Sequence, residues 1–302
     1  MSKKPQFVVK FNKFDNFDRN FKETDIGFKT TNSTYFKKIM SFIGGILDSA
    51  NFKFTDAGMS ITSLDNNHIS LVDMLIPANF FSIYNFKSFM NIGINIPLLV
   101  KILNQINSND TVIFKINNNQ DKIEIVLLNS NYEKKYELKL IEIDNEDIHI
   151  GTIDDSTNLY FNSKYFNSVI SELSVVGENL QIIIDKDNKN ISLNNNNEMF
   201  NLKMKLELDT CKNQVEFSSS KNDDVSYEKE YSQYDINYDN LQNLDLEFCL
   251  KYINTFSKGY NLSNSISLNI ANDFPMKMSF KIFNDGYINY YIAPKITDDE
   301  YD

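Results

Sequence analysis

One order of segments occurs twice along the 302-residue chain. A repeat of that length restricts the fold more than any single motif, because each copy must build the same unit and bury it against the other. In the first copy, residues 33–49 (STYFKKIMSFIGGILDS) place Phe36, Ile39, Met40, Ile43, Ile46 and Leu47 at helical spacing. Alternation then runs through Met59, Ile61 and Leu64 and again through Ile69, Leu71 and Met74. Turn residues at 56–58 and 65–67 separate these runs, which predict short antiparallel strands. A second short helix is expected over 96–106, with Pro97 tolerated in its first turn, followed by strands TVIFKI, KIEIVLL and YELKLIEI.

The second copy repeats the series. A helix over 163–175 carries Phe166, Val169, Ile170 and Leu173, and strands LQIIID, NISL and MFNLKMKLEL follow it. A short helix over 250–258 precedes SISLNIA, MKMSFKIF and YINYYIAPKI. The reading is an α+β chain: an extension at 1–24, a first domain at 25–138, an acidic connecting segment at 139–156 and a second domain at 157–296. The second domain carries a polar insertion at 209–243, and an acidic tail occupies 297–302. Phe11, Phe14, Phe17 and Phe21 recur in the extension, but the Asn and Asp residues between them are poor helix formers, so an added strand or helix and a mobile segment both stay open.

Composition removes whole classes of chemistry. With only His68 and His149, and neither CxxC nor HExxH spacing, a transition-metal site is not expected. The nine glycines form neither GxGxxG nor GxxxxGK[ST], and no GxSxG occurs, so dinucleotide, P-loop and α/β-hydrolase chemistry is not expected. Cys211 and Cys249 read as free thiols. There is no run of eighteen apolar residues, and the start MSKKPQFVVKFNKF lacks a signal peptide's apolar stretch, so neither a membrane nor export is expected.

Charge is distributed unevenly. The chain carries a formal net charge of −11, yet the four helical segments hold Lys37, Lys38, Lys101, Lys164, Lys251 and Lys258 against Asp48 and Glu172. If the helices share a surface, it is weakly basic on an acidic protein and attracts a phosphate backbone locally; the plain alternative is six solvated lysines. Every basic side chain except Arg19 is lysine, which argues against bidentate reading of bases.

These residues match a known pattern. LDNNHISLV at 64–72, the duplicated order, Ile148 and Ile150 in the connecting segment, KYINTFSKGYNLSNSISL at 251–268 and GYINYYIAPKI at 286–296 resemble the eukaryotic-type DNA sliding clamp, the proliferating cell nuclear antigen family. The resemblance spans about residues 25–296 and is weakest over 188–243. It implies a clamp fold of two similar domains that forms a ring, usually a homotrimer, around duplex DNA without sequence preference. Its function is that of a DNA polymerase processivity factor with no active site and no cofactor. The alternative is a checkpoint-type subunit of a heterotrimeric ring. The partners implied are DNA polymerase, other proteins carrying clamp-binding peptides, and a clamp loader, in the nucleus or, for a viral copy, at the site of viral DNA replication.

Residue by residue, the resemblance makes Lys38, Lys101, Lys251 and Lys258 DNA-facing, and Lys164 joins them on its helix. Gly44, Asn104, Ser168 and Ser171 depart from the basic residues common at those positions. It assigns a partner-peptide pocket to Leu64, His68 and Ile69, to Ile148 and Ile150, and to Pro275, Tyr291, Ala293, Pro294 and Ile296. His149 and Gly151 depart from the usual connecting loop. Subunit contact is assigned to Tyr136 and Leu138 on one strand and to Phe200, Leu202 and Met204 on another. Lys186 falls where relatives carry a modifiable lysine.

Overall fold

The computed structural model describes residues 21–22, 24–117, 119–144, 148, 150–151, 156–188, 190–196, 201–207, 234–237, 242–272 and 274–295. The first half contains β1 (Ile26–Thr30), α1 (Ser33–Ile43), β2 (Ser49–Thr55), β3 (Gly58–Leu64), β4 (Ser70–Pro77), β5 (Ile83–Asn85), β6 (Met90–Asn95), α2 (Ile96–Leu103), β7 (Thr111–Ile116), β8 (Lys122–Leu128) and β9 (Glu133–Lys139). The second contains β10 (Thr157–Asn162), α3 (Ser163–Val176), β11 (Asn179–Asp185), β12 (Asn190–Asn196), β13 (Asn201–Glu207), β14 (Tyr234–Asn237), β15 (Leu244–Cys249), α4 (Leu250–Ser257), β16 (Ser265–Ile270), β17 (Met276–Lys281) and β18 (Tyr287–Ile292). Element for element, the two halves have one order.

Among the described residues every strand pairing is antiparallel. The strands form a five-stranded sheet, β5-β1-β7-β8-β9, a nine-stranded sheet, β14-β10-β16-β17-β18-β4-β3-β2-β6, and a four-stranded sheet, β13-β12-β11-β15. The duplication explains this division. Each half builds one sheet around its first strand, β5-β1-β7-β8-β9 or β14-β10-β16-β17-β18, and another from β6-β2-β3-β4 or β15-β11-β12-β13. The nine-stranded sheet arises where β4 of the first half meets β18 of the second, with Val72 opposite Tyr290 and Ser70 opposite Ile292.

The correspondence extends to register. Ile96 and Leu250 begin the short helices. Ala50 opposite Ile94 then corresponds to Leu180 opposite Phe248, and Ile61 opposite Met74 to Leu193 opposite Met204. In the other sheets the row Phe28, Phe114, Ile125, Tyr136 corresponds to Leu159, Leu268, Met278, Tyr290. After β9 the chain crosses to the edge of β6, where the Ile141 amide donates to the Gly93 carbonyl at 3.0 Å. After β18 it crosses to the edge of β15, where the Lys295 amide donates to the Glu247 carbonyl at 2.7 Å.

The helices form one layer. α1 packs on α2 and α3 on α4. Across the halves, Phe42 of α1 meets Phe256 of α4 with ring centroids 5.5 Å apart, and the Tyr35 hydroxyl donates to the Leu262 carbonyl at 2.6 Å. The order is therefore α2-α1-α4-α3. Their apolar faces and the inward side chains of all three sheets share one core, and each fully buried Phe or Ile there contributes about 1.5–3 kcal/mol. Asn95 and Asn162 cap α2 and α3 by accepting from Leu98 and from Lys164 and Tyr165.

Several sequence-based boundaries change. The helix expected over 33–49 ends at Ile43, because Gly44 and Gly45 turn the chain, their amides donating to the Met40 and Phe42 carbonyls. Leu47 keeps its buried place beyond the helix. The α2 and α4 helices end at Leu103 and Ser257, and a 3-10 turn over Lys258–Asn261 follows the latter. The strand expected as YELKLIEI begins earlier, at Glu133, and ends at Lys139. Within 209–243, β14 adds an edge to the nine-stranded sheet; the rest of that insertion, apart from residues 242 and 243, lies outside the described residues, as do Phe11, Phe14, Phe17, His149, Cys211 and the tail.

Candidate peptide-docking pocket and helix surface

The pocket is built from a turn. Between β3 and β4, the Asp65 carboxylate accepts from the amides of Ile69 at 2.8 Å, Ser70 at 2.7 Å and Asn67 at 3.2 Å. Burial works to raise the Asp65 pKa, but these amide donors prevail and hold it below the usual carboxylate value. His68 takes a positive φ of 57°, its amide donating to the Asp65 carbonyl, which turns Ile69 outward to 45% exposure. Asp65 is thus the positioning group for two of the expected pocket residues, His68 and Ile69.

Two adjoining cavities result. One, of about 320 Å³, is lined by Leu64, Ile69, Ser70, Leu71, Ile150, Gly151, Phe274, Pro275, Tyr291 and Ala293. The other, of about 530 Å³, runs under the connecting segment and is more polar, with Leu64, His68 and Ile148 beside Asn51, Lys53, Asp144 and the exposed Phe89. Leu64 is shared. The structure therefore brings Leu64, Ile69, Ile150, Pro275, Tyr291 and Ala293 together and sets His68 and Ile148 next door. Pro294 is half-buried and lines neither cavity, and Ile296 lies outside the described residues.

The connecting segment is fixed at its start. Asn51 donates from Nδ2 to the Ile143 carbonyl at 3.2 Å, and a Cβ at Gly93 would stand 2.2 Å from the Ile141 carbonyl oxygen. Only glycine permits that approach. Tyr291 closes the other wall: burial pushes its hydroxyl up to about 12, with Asp73 and Tyr287 acting in the same direction, and the Lys277 ammonium stands 5.9 Å from its ring. Around this cavity stand three exposed apolar side chains, Ile69, Ile150 and Phe274. An apolar cleft with few polar groups accepts an aromatic or aliphatic plug. Sequence reasoning missed Phe274 and Leu71. The apolar Phe274 stands in a short polar turn, ANDFP, and that mismatch was the available signal.

On the helix layer, Lys38, Lys101, Lys164, Lys251 and Lys258 are all exposed. Lys37 instead donates to the Asn104 carbonyl at the end of α2, at 3.3 Å. The exposed face of α3 is sparsely charged: beyond Lys164 it presents Ser168, Ser171, Glu172 and Val175. The assigned contact strands both lie at sheet edges. Among the described residues, Tyr136 and Leu138 sit on β9, which pairs only with β8, and Leu202 and Met204 sit on β13, which pairs only with β12. Phe200 is outside the described residues, and Lys186 is exposed in the β11–β12 turn. Among the described residues no group of three or more His, Cys, Asp or Glu is placed to hold a metal, and no helix is long and apolar enough to cross a membrane.

Comparison with known proteins agrees with this geometry. Residues 26–149 match the family model of the proliferating cell nuclear antigen N-terminal domain, and residues 149–295 match that of its C-terminal domain. A proliferating cell nuclear antigen from Chaetomium thermophilum is 26% identical over 267 residues, covering 87% of this chain and 95% of that protein. Duplicated halves, a continuous helix layer and matches to both domain models in order converge on one conclusion: the chain belongs to the proliferating cell nuclear antigen family of sliding clamps, which act in DNA replication and repair.

Proposed function

We propose that the chain is a DNA polymerase processivity factor that closes a homotrimeric ring around duplex DNA and acts by tethering, without an active site or cofactor. The observation that carries this reading is the unequal use of equivalent edges. Within the chain, β4 pairs with β18; their counterparts, β13 and β9, are each left at an edge. Exposed edges of this kind invite pairing, and joining β13 of one copy to β9 of the next repeats the join already made inside the chain. The transferred register sets Leu202 opposite Tyr136, Met204 opposite Lys134 and Lys205 opposite Glu133. In that register Lys205 meets Glu133 while Lys203 falls opposite Lys135, so charge both favours and opposes the join, and the apolar Leu202–Tyr136 pair and the backbone ladder carry it.

The helix layer then lines the hole, and its lysines meet phosphates as point charges, which suits a contact that slides. The cavity beneath Ile150 takes the anchor of a polymerase or loader peptide. A checkpoint-type heterotrimer is the second reading, favoured by the sparse charge of α3.

Two measurements test this. Light scattering over a dilution series is expected to give three times 35.1 kDa. A stable monomer would move the heterotrimer ahead. The variant Tyr136→Cys/Leu202→Cys is expected to cross-link between copies under mild oxidation while neither single variant does. Stimulation of a cognate polymerase on primed circular DNA, lost on short linear DNA with open ends, is the expected functional result; equal stimulation on both would exclude topological tethering.

A further inference from the structure

The five-stranded sheet has a second apolar face, away from the main core. Along β7 and β8, Val112, Phe114, Ile116, Ile123, Ile125 and Leu127 point into the core, so Ile113, Val126 and Leu128 point the other way. Register aligns them in a row across four strands: Ile83, Lys29, Ile113, Val126. An antiparallel sheet with one face on the core ordinarily turns polar residues outward. Here Ile113 is 0% exposed, Val126 is 2% and even Lys29 is 7%.

We propose that this face is a docking site whose occupant is the chain's own N-terminal extension, with Phe21 as its anchor. Phe21 is 8% exposed and packs with Ile113, Val126, Leu128 and Ile83. The segment behind it is fastened at Lys22 and Asp25. The Asp25 carboxylate pairs with Lys115 at 2.9 Å and accepts from the Lys22 amide, the Asp25 amide donates to the Lys22 carbonyl, and Asn85 Nδ2 donates to the Asp25 carbonyl at 2.7 Å. The Lys115 ammonium also stands 5.9 Å from the Phe21 ring. This clasp covers the sheet whose far strand is β9, and it withholds a contiguous apolar patch that would otherwise bind aromatic side chains without discrimination.

The test compares the full chain with Phe21→Ala, Phe21→Leu, Val126→Ala, the double variant Phe21→Ala/Val126→Ala, and a chain lacking residues 1–24. Thermal midpoint, fluorescence of an anionic naphthalene dye and solution mass are read for each. Phe21→Ala and the deletion are expected to lower the midpoint by about 4 °C or more and to raise dye fluorescence, with Phe21→Leu recovering most of the difference. The two alanine substitutions are expected to combine less than additively, since each removes the same contact. Unchanged midpoint and dye signal, or strictly additive effects, would overturn the assignment. So would a deletion that raises the mass without raising the dye signal, because a second copy would then be the better occupant. None of these readouts involves DNA, polymerase or peptide, so the clasp and the processivity reading stand or fall separately.

Discussion

Single side chains decide how the pocket responds to substitution and to pH. Tyr291 forms a cavity wall, so Tyr291→Ala is expected to weaken a plug-bearing peptide about tenfold or more by titration calorimetry, with the solution mass unchanged. An unaltered affinity would remove it from the site. Asp65, and likewise Asp110, which accepts from Tyr132 and Asn129, have folded pKa values below the unfolded 3.8 despite burial. Each therefore stabilises the fold above that value, and the contribution is lost as pH falls through 3.8 toward the folded value. Asp73 has the opposite sign. Burial raises its pKa above 3.8 although Asn289 and Thr62 donate to it, so its ionised form costs stability at neutral pH. Asp73→Asn is expected to raise the thermal midpoint at pH 7, with the gain vanishing below about pH 4; a lower midpoint at pH 7 would refute this. At this scale the pocket was legible where the resemblance supplied positions. It was not legible at Phe274, which lines the cavity beside Tyr291, Ile69 and Ile150, neighbours distant in sequence.

At the scale of elements, hydrophobic period located the start of each of the four α-helices but overshot the ends of α1, α2 and α4, most of all in α1, where Ile46 and Leu47 keep helical spacing while Gly44 and Gly45 end the helix. β5, β6, β14 and β15 escaped the sequence reading, as did β1 and β10, the strands that open each half. These last two are five and six residues long, and each follows an acidic, polar stretch that reads as extension or connecting segment. For the proposed docking, the connecting segment is the element to test. Gly93→Ala is expected to push Ile141 from the β6 edge and weaken peptide binding while leaving the mass unchanged, since the clash is with the Ile141 carbonyl and not with β9. Peptide affinity equal to that of the unmodified chain would show that this bridge does not set the cavity. The edge strands make the complementary prediction: Leu202→Glu is expected to yield monomers with an intact pocket, and a persistent trimer would exclude the β13–β9 join.

For the whole molecule, the helix layer is the surface to test. Replacing Lys38, Lys101, Lys251 and Lys258 together by alanine is expected to shorten residence on nicked circular DNA and flatten its salt dependence, leaving mass and peptide affinity as they were. Unchanged residence would mean that retention is purely topological. The nine-stranded sheet that fuses the two halves has a mechanical consequence. The β4–β18 seam is backed by the Thr62–Asp73–Asn289–Ser279 chain, by the Phe42–Phe256 contact and by the covalent chain itself. In the proposed ring, a seam between copies would have the same ladder without that covalent tie. Under load, each subunit would then behave as one stiff arc, compliance would concentrate at the joints between arcs, and the ring would open at a joint before any arc bends.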